Sequence, residues 1–80
     1  MPKFLIIRFS SFGDIAQCMP AAENIRKSYP DAEIHWLTLS DFSSFVKSAQ
    51  VIDRVWSFDR KLGFGGLLKM ISQLKAENFT

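Results

Sequence analysis

Apolar and polar residues along the chain form blocks that favour a strand and a helix in turn. Residues 4–7 are a continuous apolar run, which predicts a strand covered on both faces. From Ile15 to Tyr29, apolar residues recur at helical spacing, and Pro30 ends the pattern. Residues 34–39 and 55–58 predict two further strands.

Two more helices are predicted between and after these strands. Ser40 is a candidate cap for a short helix with an apolar face. The residues of that face are Phe42, Phe45, Val46 and Ala49. A glycine-rich loop at residues 63–66 is expected to precede a last helix that ends near Asn78, either as a mobile lid or as a simple linker.

The resulting order, β-α-β-α-β-α, predicts an α/β fold with a Rossmann-like parallel sheet and helices on both of its faces. It corresponds to one half of a doubly wound fold. The first strand is central in such folds, and a fourth strand would be expected after Thr80. We therefore expect a truncated chain whose residues 4–7 pair across an open edge with a second copy or another partner.

Composition excludes several classes of protein. With 80 residues, 48% hydrophobic and 14% aromatic, the chain is not a disordered tail. A net charge of +2 is too weak to indicate a nucleic-acid partner. The single cysteine, Cys18, and the single histidine, His35, exclude an internal disulfide and a Cys/His metal set. With no signal-like start and no membrane-length apolar stretch, a cytoplasmic setting is expected.

Candidate chemistry lies at residues 10–14, just beyond the first strand, where ligands bind in open α/β sheets. Ser10 and Ser11 offer hydroxyls, and Gly13 would allow a tight turn and a close ligand approach. Asp14 is the one carboxylate there. Its spacing favours a helix cap or first-turn acid, and the alternative is an acceptor for the proton of a sugar hydroxyl.

Basic residues are predicted at the same edge of the sheet. Arg8 closes the first strand, and Arg60 and Lys61 follow the third. They suit a basic rim for an acidic substrate, or simply solvated surface charges. A dinucleotide site is disfavoured, because the first loop has one glycine where Gly-x-Gly-x-x-Gly needs three.

Residues 6–15, IIRFSSFGDI, followed by MPA at residues 19–21, resemble the opening of the lipopolysaccharide heptosyltransferases, which form glycosyltransferase family nine. Residues 29–37 and 51–59 look like that family's second and third strands. Residues 74–79 look like the helix end before its fourth strand.

The resemblance implies a GT-B enzyme with two Rossmann-like domains, of which residues 1–80 are part of the N-terminal, acceptor-side domain and the C-terminal donor-binding domain is absent. It implies inverting, metal-independent transfer of heptose from ADP-heptose to the lipid A–inner-core acceptor, without a cofactor. Asp14 falls on the family's proposed catalytic base. A further set falls on or near acceptor-binding positions: Arg8, Ser10, Ser11, Gly13, Arg60 and Lys61.

Further expectations follow from this resemblance. This chain alone should be inactive, and the protein should be cytoplasmic, with a peripheral position at the inner face of the inner membrane also expected. The main alternative is a non-catalytic α/β binding module that self-associates through the open edge at residues 4–7. A nucleotide-binding Rossmann half is a third reading, which the missing glycines disfavour.

Overall fold

The computed structural model describes residues 2–79, so the fourth strand expected beyond Thr80 stays a prediction. The predicted order of strands and helices is confirmed. The elements are β1 (Lys3–Ile7), α1 (Phe12–Ser28), β2 (Glu33–Leu39), α2 (Ser43–Lys47), β3 (Arg54–Phe58) and α3 (Gly63–Lys75), with 3-10 turns at Ser40–Phe42 and Arg60–Leu62.

The three strands form one parallel sheet in the order β1-β2-β3. In its register Ile7 lies opposite Leu37, and Leu37 lies opposite Trp56. Parallel neighbours need crossover connections, which α1 and α2 supply. The predicted parallel α/β sheet is therefore confirmed, with β2 at its centre and β1 at an edge.

Side chains alternate along β2 and fill a core on each face of the sheet. Ile34 and Trp36 are completely buried with residues of α1 and α2. Leu37 packs on the other face, in a cluster that includes Leu74 of α3. Helices therefore cover both faces, as predicted.

The expectation that residues 4–7 are covered on both faces holds for residues 4–6 and not for Ile7: Phe4 and Ile6 pack against one core cluster and Leu5 against the other. Lys3, Phe4, Leu5 and Ile6 are half-buried, and Ile7 is 56% exposed. The reason is that β1 has a neighbouring strand on one side only among the described residues. The fully buried strand is β2.

Three local predictions are corrected by the positions of the turns. Helix α1 begins at Phe12, so the expected loop at residues 10–14 is shorter. Helix α3 begins at Gly63, so the expected lid or linker is the first turn of a helix that ends at Lys75. Ser40 lies in a 3-10 turn and makes no side-chain cap; instead, its carbonyl accepts a hydrogen bond from the hydroxyl of Ser43.

One ionic cluster ties α1 to the sheet. The guanidinium of Arg26 donates to the carbonyls of Ala32 and Val51, and to the Asp53 carboxylate at 2.7 Å. The backbone N–H of Ile34 donates to the same carboxylate. Partial burial raises the pKa of Asp53, but these hydrogen bonds and the Arg26 charge outweigh it, and the net pKa is lowered.

Among residues 2–79, no helix combines the length and the apolar character needed to cross a membrane.

Candidate functional site

The carboxyl ends of the three parallel strands meet at one edge of the sheet, and charged residues follow each of them. Arg8 and Asp14 come after β1, Asp41 comes after β2, and Arg60 comes after β3. We call this edge the carboxyl edge. It contains all seven residues that the sequence marked as candidates for the site.

The chain leaving β1 is held by the buried strand β2. The backbone N–H of Arg8 donates to the carbonyl of Leu37 at 3.1 Å. The carbonyl of Phe9 accepts from the N–H of Leu39 and from the hydroxyl of Thr38, which is completely buried. The direction in which Arg8 and Ser10 leave the sheet is thus determined by contacts with β2.

Asp14 lies in the first turn of α1 and is half exposed. Its Oδ2 atom accepts a hydrogen bond from the hydroxyl of Ser11 at 3.3 Å and lies 3.3 Å from a guanidinium nitrogen of Arg8. Ser11 is the N-cap residue, and no side-chain cap bond is formed. Asp14 is therefore a first-turn acid, at the end of the helix where negative charge is stabilised, and not a cap.

Gly13 does not make the tight turn expected of it. It is the second residue of α1, and the described glycine with positive φ is Gly63. A Cβ atom placed on Gly13 would meet nothing within 4 Å. Its proposed role in letting a ligand approach stays a prediction, as does that of Ser10, which is exposed in the connection from β1 to α1.

Arg60 and Lys61 do not contact Asp14. The guanidinium of Arg60 forms an ion pair with Asp41, and the backbone N–H of Lys61 donates to Asp59 at 2.9 Å. The carboxyl edge thus has two arginine–aspartate pairs, Arg8 with Asp14 and Arg60 with Asp41. The second pair was not predicted, because Asp41 lies 19 residues before Arg60 and no local sequence pattern links the two.

Aromatic rings lie beside the first turn of α1. The ring of Phe12 packs edge-to-face on Phe42 and Phe45, with ring centroids 4.7 and 5.4 Å away. Phe12 is nevertheless 56% exposed. An apolar surface therefore flanks the start of the helix that carries Asp14.

His35, the single histidine, is completely buried. Its Nε2 atom lies 2.6 Å from a carboxylate oxygen of Glu33, and its Nδ1 accepts a hydrogen bond from the indole N–H of Trp56 at 2.9 Å. Because an indole N–H can only donate, the neutral imidazole carries its proton on Nε2 and donates it to Glu33.

Glu33, His35 and Glu77 bring ligand-type atoms within 4.8 Å of one another. This set fits a metal ion poorly, because His35 has no free nitrogen: Trp56 occupies Nδ1 and the proton occupies Nε2. Glu77 is already paired with Lys3 at 2.8 Å, and that hydrogen bond lowers the pKa of the Glu77 carboxyl. Glu33, His35 and Trp56 form a hydrogen-bonded network around the buried imidazole.

A cavity of about 480 Å³ lies between the edge strand β1 and α3. Its lining is formed by Leu5, Ile7, Ile71, Leu74, Lys75, Asn78 and Phe79. None of the charged residues of the carboxyl edge lines it. The cavity is mainly apolar and is a feature separate from the candidate site.

Two curated relatives have sequences similar to this chain. Lipopolysaccharide core heptosyltransferase OpsX of Haemophilus influenzae is 30% identical over 79 residues, 98% of this chain and 22% of the relative. Lipopolysaccharide heptosyltransferase 1 of Campylobacter coli is 36% identical over 59 residues, 74% of this chain and 17% of the relative. No family model and no solved structure matches the chain.

The chain therefore spans about a fifth of the length of the relatives that it matches. The resemblance predicted from the IIRFSSFGDI segment is confirmed: the sequence is similar to one lipopolysaccharide heptosyltransferase over nearly the whole of this chain and to another over about three quarters of it.

Proposed function

We propose that this chain is the acceptor-side part of an inverting GT-B glycosyltransferase that moves heptose from ADP-heptose to the inner core of lipopolysaccharide. The observation that carries the proposal is the similarity to two heptosyltransferases. The carboxyl edge supports it, since a half-exposed carboxylate lies there in the first turn of a helix, where α/β sheets bind ligands.

In this proposal Asp14 is the general base. Its carboxylate accepts the proton of the acceptor hydroxyl while the hydroxyl oxygen attacks the anomeric carbon of the donor sugar. The bond from that carbon to the diphosphate breaks, and the nucleoside diphosphate leaves with the electron pair. Attack on the face opposite the leaving group inverts the anomeric configuration.

Neighbouring residues have supporting roles in the proposal. Arg8 holds the Asp14 carboxylate by an ion pair, and the Ser11 hydroxyl orients it. Ser10, Gly13, Arg60 and Lys61 contact the acceptor, with the two cations facing its acidic groups. Residues outside this sequence would bind the donor, and we therefore expect no transfer by residues 1–80 alone.

The test uses a full-length protein that contains this sequence. We expect Asp14→Asn to lower kcat by about 100- to 10,000-fold, because it removes the proton acceptor, and to leave donor affinity unchanged. Asp41→Asn is the matched control, because Asp41 is another aspartate of the carboxyl edge that is paired with an arginine. Turnover by Asp14→Asn close to that of Asp41→Asn would contradict the assignment.

A non-catalytic module that self-associates is the second candidate. It is favoured by the edge position of β1 and by the apolar cavity beside it. Light scattering of the 80-residue chain tests it: a stable monomer at high concentration would count against association through residues 4–7.

A further inference from the structure

The face of β2 that packs on α1 changes from apolar to polar as it approaches the carboxyl edge. Alternate residues of a strand share a face, so Ile34, Trp36 and Thr38 lie on the same side of the sheet. Ile34 and Trp36 belong to the apolar cluster that contains Ile15 of α1. Thr38 is also completely buried, but it carries a hydroxyl. A buried hydroxyl costs free energy unless it is hydrogen-bonded, so the identity of its partner is informative.

The partner of the Thr38 hydroxyl is the chain that leaves β1. The hydroxyl donates to the carbonyl of Phe9 at 3.1 Å. The indole N–H of Trp36 donates to the preceding carbonyl, that of Arg8, at 3.4 Å. Two consecutive peptide groups just beyond β1 are therefore held by side chains that are themselves fixed in the core.

The carbonyl of Phe9 has a hydrogen-bond donor even without Thr38. It also accepts from the backbone N–H of Leu39 at 3.2 Å. The bond from Thr38 is therefore not needed to avoid an unpaired buried acceptor. Its effect is on orientation, because a second donor on the same oxygen restricts the direction of the peptide group that follows Phe9.

This oriented peptide group is joined to α1 by residues 10–11 alone. The hydroxyl of Ser11 donates to the carboxylate of Asp14, and the guanidinium of Arg8 forms an ion pair with it. Both contacts to the carboxylate come from the connection that Thr38 and Trp36 hold. The core of the sheet is thereby linked to the exposed acid of the carboxyl edge.

We propose that Thr38, supported by the indole of Trp36, is a positioning residue for Asp14. Thr38 is buried and acts through the Phe9 peptide group, which fixes the start of α1 and the two side chains that contact the carboxylate. Proton transfer requires the acceptor oxygen to lie within hydrogen-bond reach of the reacting hydroxyl, so a small displacement lowers the rate. This inference deepens the proposed function and rests on it for the reaction.

The kinetic test compares two variants of Thr38 in a full-length protein that contains this sequence. Thr38→Val closely keeps the shape of the side chain and removes the donor, whereas Thr38→Ser keeps the donor and removes a buried methyl group. We expect Thr38→Val to lower kcat about tenfold with the donor KM unchanged, and Thr38→Ser to keep kcat within about twofold. Ile34→Val, which removes a methyl group from the same face of β2, is the matched control and should leave kcat unchanged.

Stability should follow the opposite order. Thr38→Ser loses buried apolar contacts, whereas Thr38→Val leaves the Phe9 carbonyl bonded to the N–H of Leu39. We therefore expect thermal melting of the 80-residue chain to give a lower Tm for Thr38→Ser than for Thr38→Val. A purely structural Thr38 would make kcat fall with Tm, and the serine variant would then be the less active of the two.

Amide hydrogen exchange in the 80-residue chain tests the anchoring without catalysis. The N–H of Ile15 donates to the Ser11 carbonyl in the first turn of α1, and the N–H of Tyr29 donates to the Ile25 carbonyl at the other end of the helix. We expect Thr38→Val to speed exchange at Ile15 at least about fivefold and to leave Tyr29 unchanged. Thr38→Ser should change neither rate.

Two results would overturn the proposal: unchanged exchange at Ile15 in Thr38→Val, or a kcat of Thr38→Val at or above that of Thr38→Ser. Undiminished turnover by Asp14→Asn would instead contradict the proposed function. The exchange rates do not depend on turnover, so they would still decide whether Thr38 holds the start of α1.

Discussion

The guanidinium of Arg8 lies 3.3 Å from the carboxylate of Asp14 and joins the end of β1 to the first turn of α1. Both side chains are about half exposed, at 45% and 47%. Water therefore screens their attraction, and the pair has little structural value.

We therefore expect Arg8→Gln and Asp14→Asn each to change the free energy of unfolding by less than about 1 kcal/mol. Urea denaturation of the 80-residue chain measures this change. A loss of several kcal/mol in either variant would show that the pair holds the fold.

The Arg26 cluster should behave differently. Arg26 donates to the carbonyls of Ala32 and Val51 and to Asp53, so its loss leaves several partly buried acceptors without a donor. Arg26→Met should cost about 2 to 3 kcal/mol of unfolding free energy. Lys27→Met is the matched control on the same helix, and an equal loss in that variant would contradict the assignment.

The same cluster predicts how stability depends on pH. The pKa of Asp53 is lower in the folded protein than its ordinary value of 3.8. Its contribution is therefore complete above that ordinary value and is lost as the pH falls through the folded-state pKa. In denaturation experiments from about pH 6 to about pH 2, Asp53→Asn should flatten the acid-induced loss of stability. Glu23→Gln, which changes an exposed acid on α1, should leave the curve unchanged. If Asp53→Asn also left the curve unchanged, Asp53 would not be a source of the pH dependence of stability.

Two adjacent glycines in the first turns of α3 should respond oppositely to alanine. A Cβ atom on Gly65 meets nothing within 4 Å, so Gly65→Ala should stabilise the helix by about 0.5 to 1 kcal/mol. A Cβ atom on Gly66 would lie 2.3 Å from the Cβ of Leu62, so Gly66→Ala should destabilise it. Thermal melting of the two variants measures the difference, and equal shifts would contradict this description of the α3 start.

Tertiary contacts account for the errors of the sequence-based predictions. The glycine-rich segment at residues 63–66 is typical of a loop, yet Gly63 begins α3, since Leu67, Met70 and Leu74 pack on the sheet core and hold the helix in place. The apolar run at residues 4–7 is typical of a buried strand, yet Ile7 is exposed because β1 lies at the sheet edge. A local sequence pattern indicates which residues favour burial, but it does not indicate how many residues will pack around them in the folded protein.

The sequence alone determined the alternation of strands and helices, because apolar runs and helical spacing act over a few residues. It also placed Asp14 just beyond the first strand. Because the strands are parallel, the connections that leave their carboxyl ends all lie at one edge of the sheet. Only the tertiary structure decided the partners: Arg60 with Asp41, Arg26 with Asp53, and Trp56 with His35. Each pair joins residues at least 19 positions apart, and such contacts depend on strand register and helix packing rather than on local pattern.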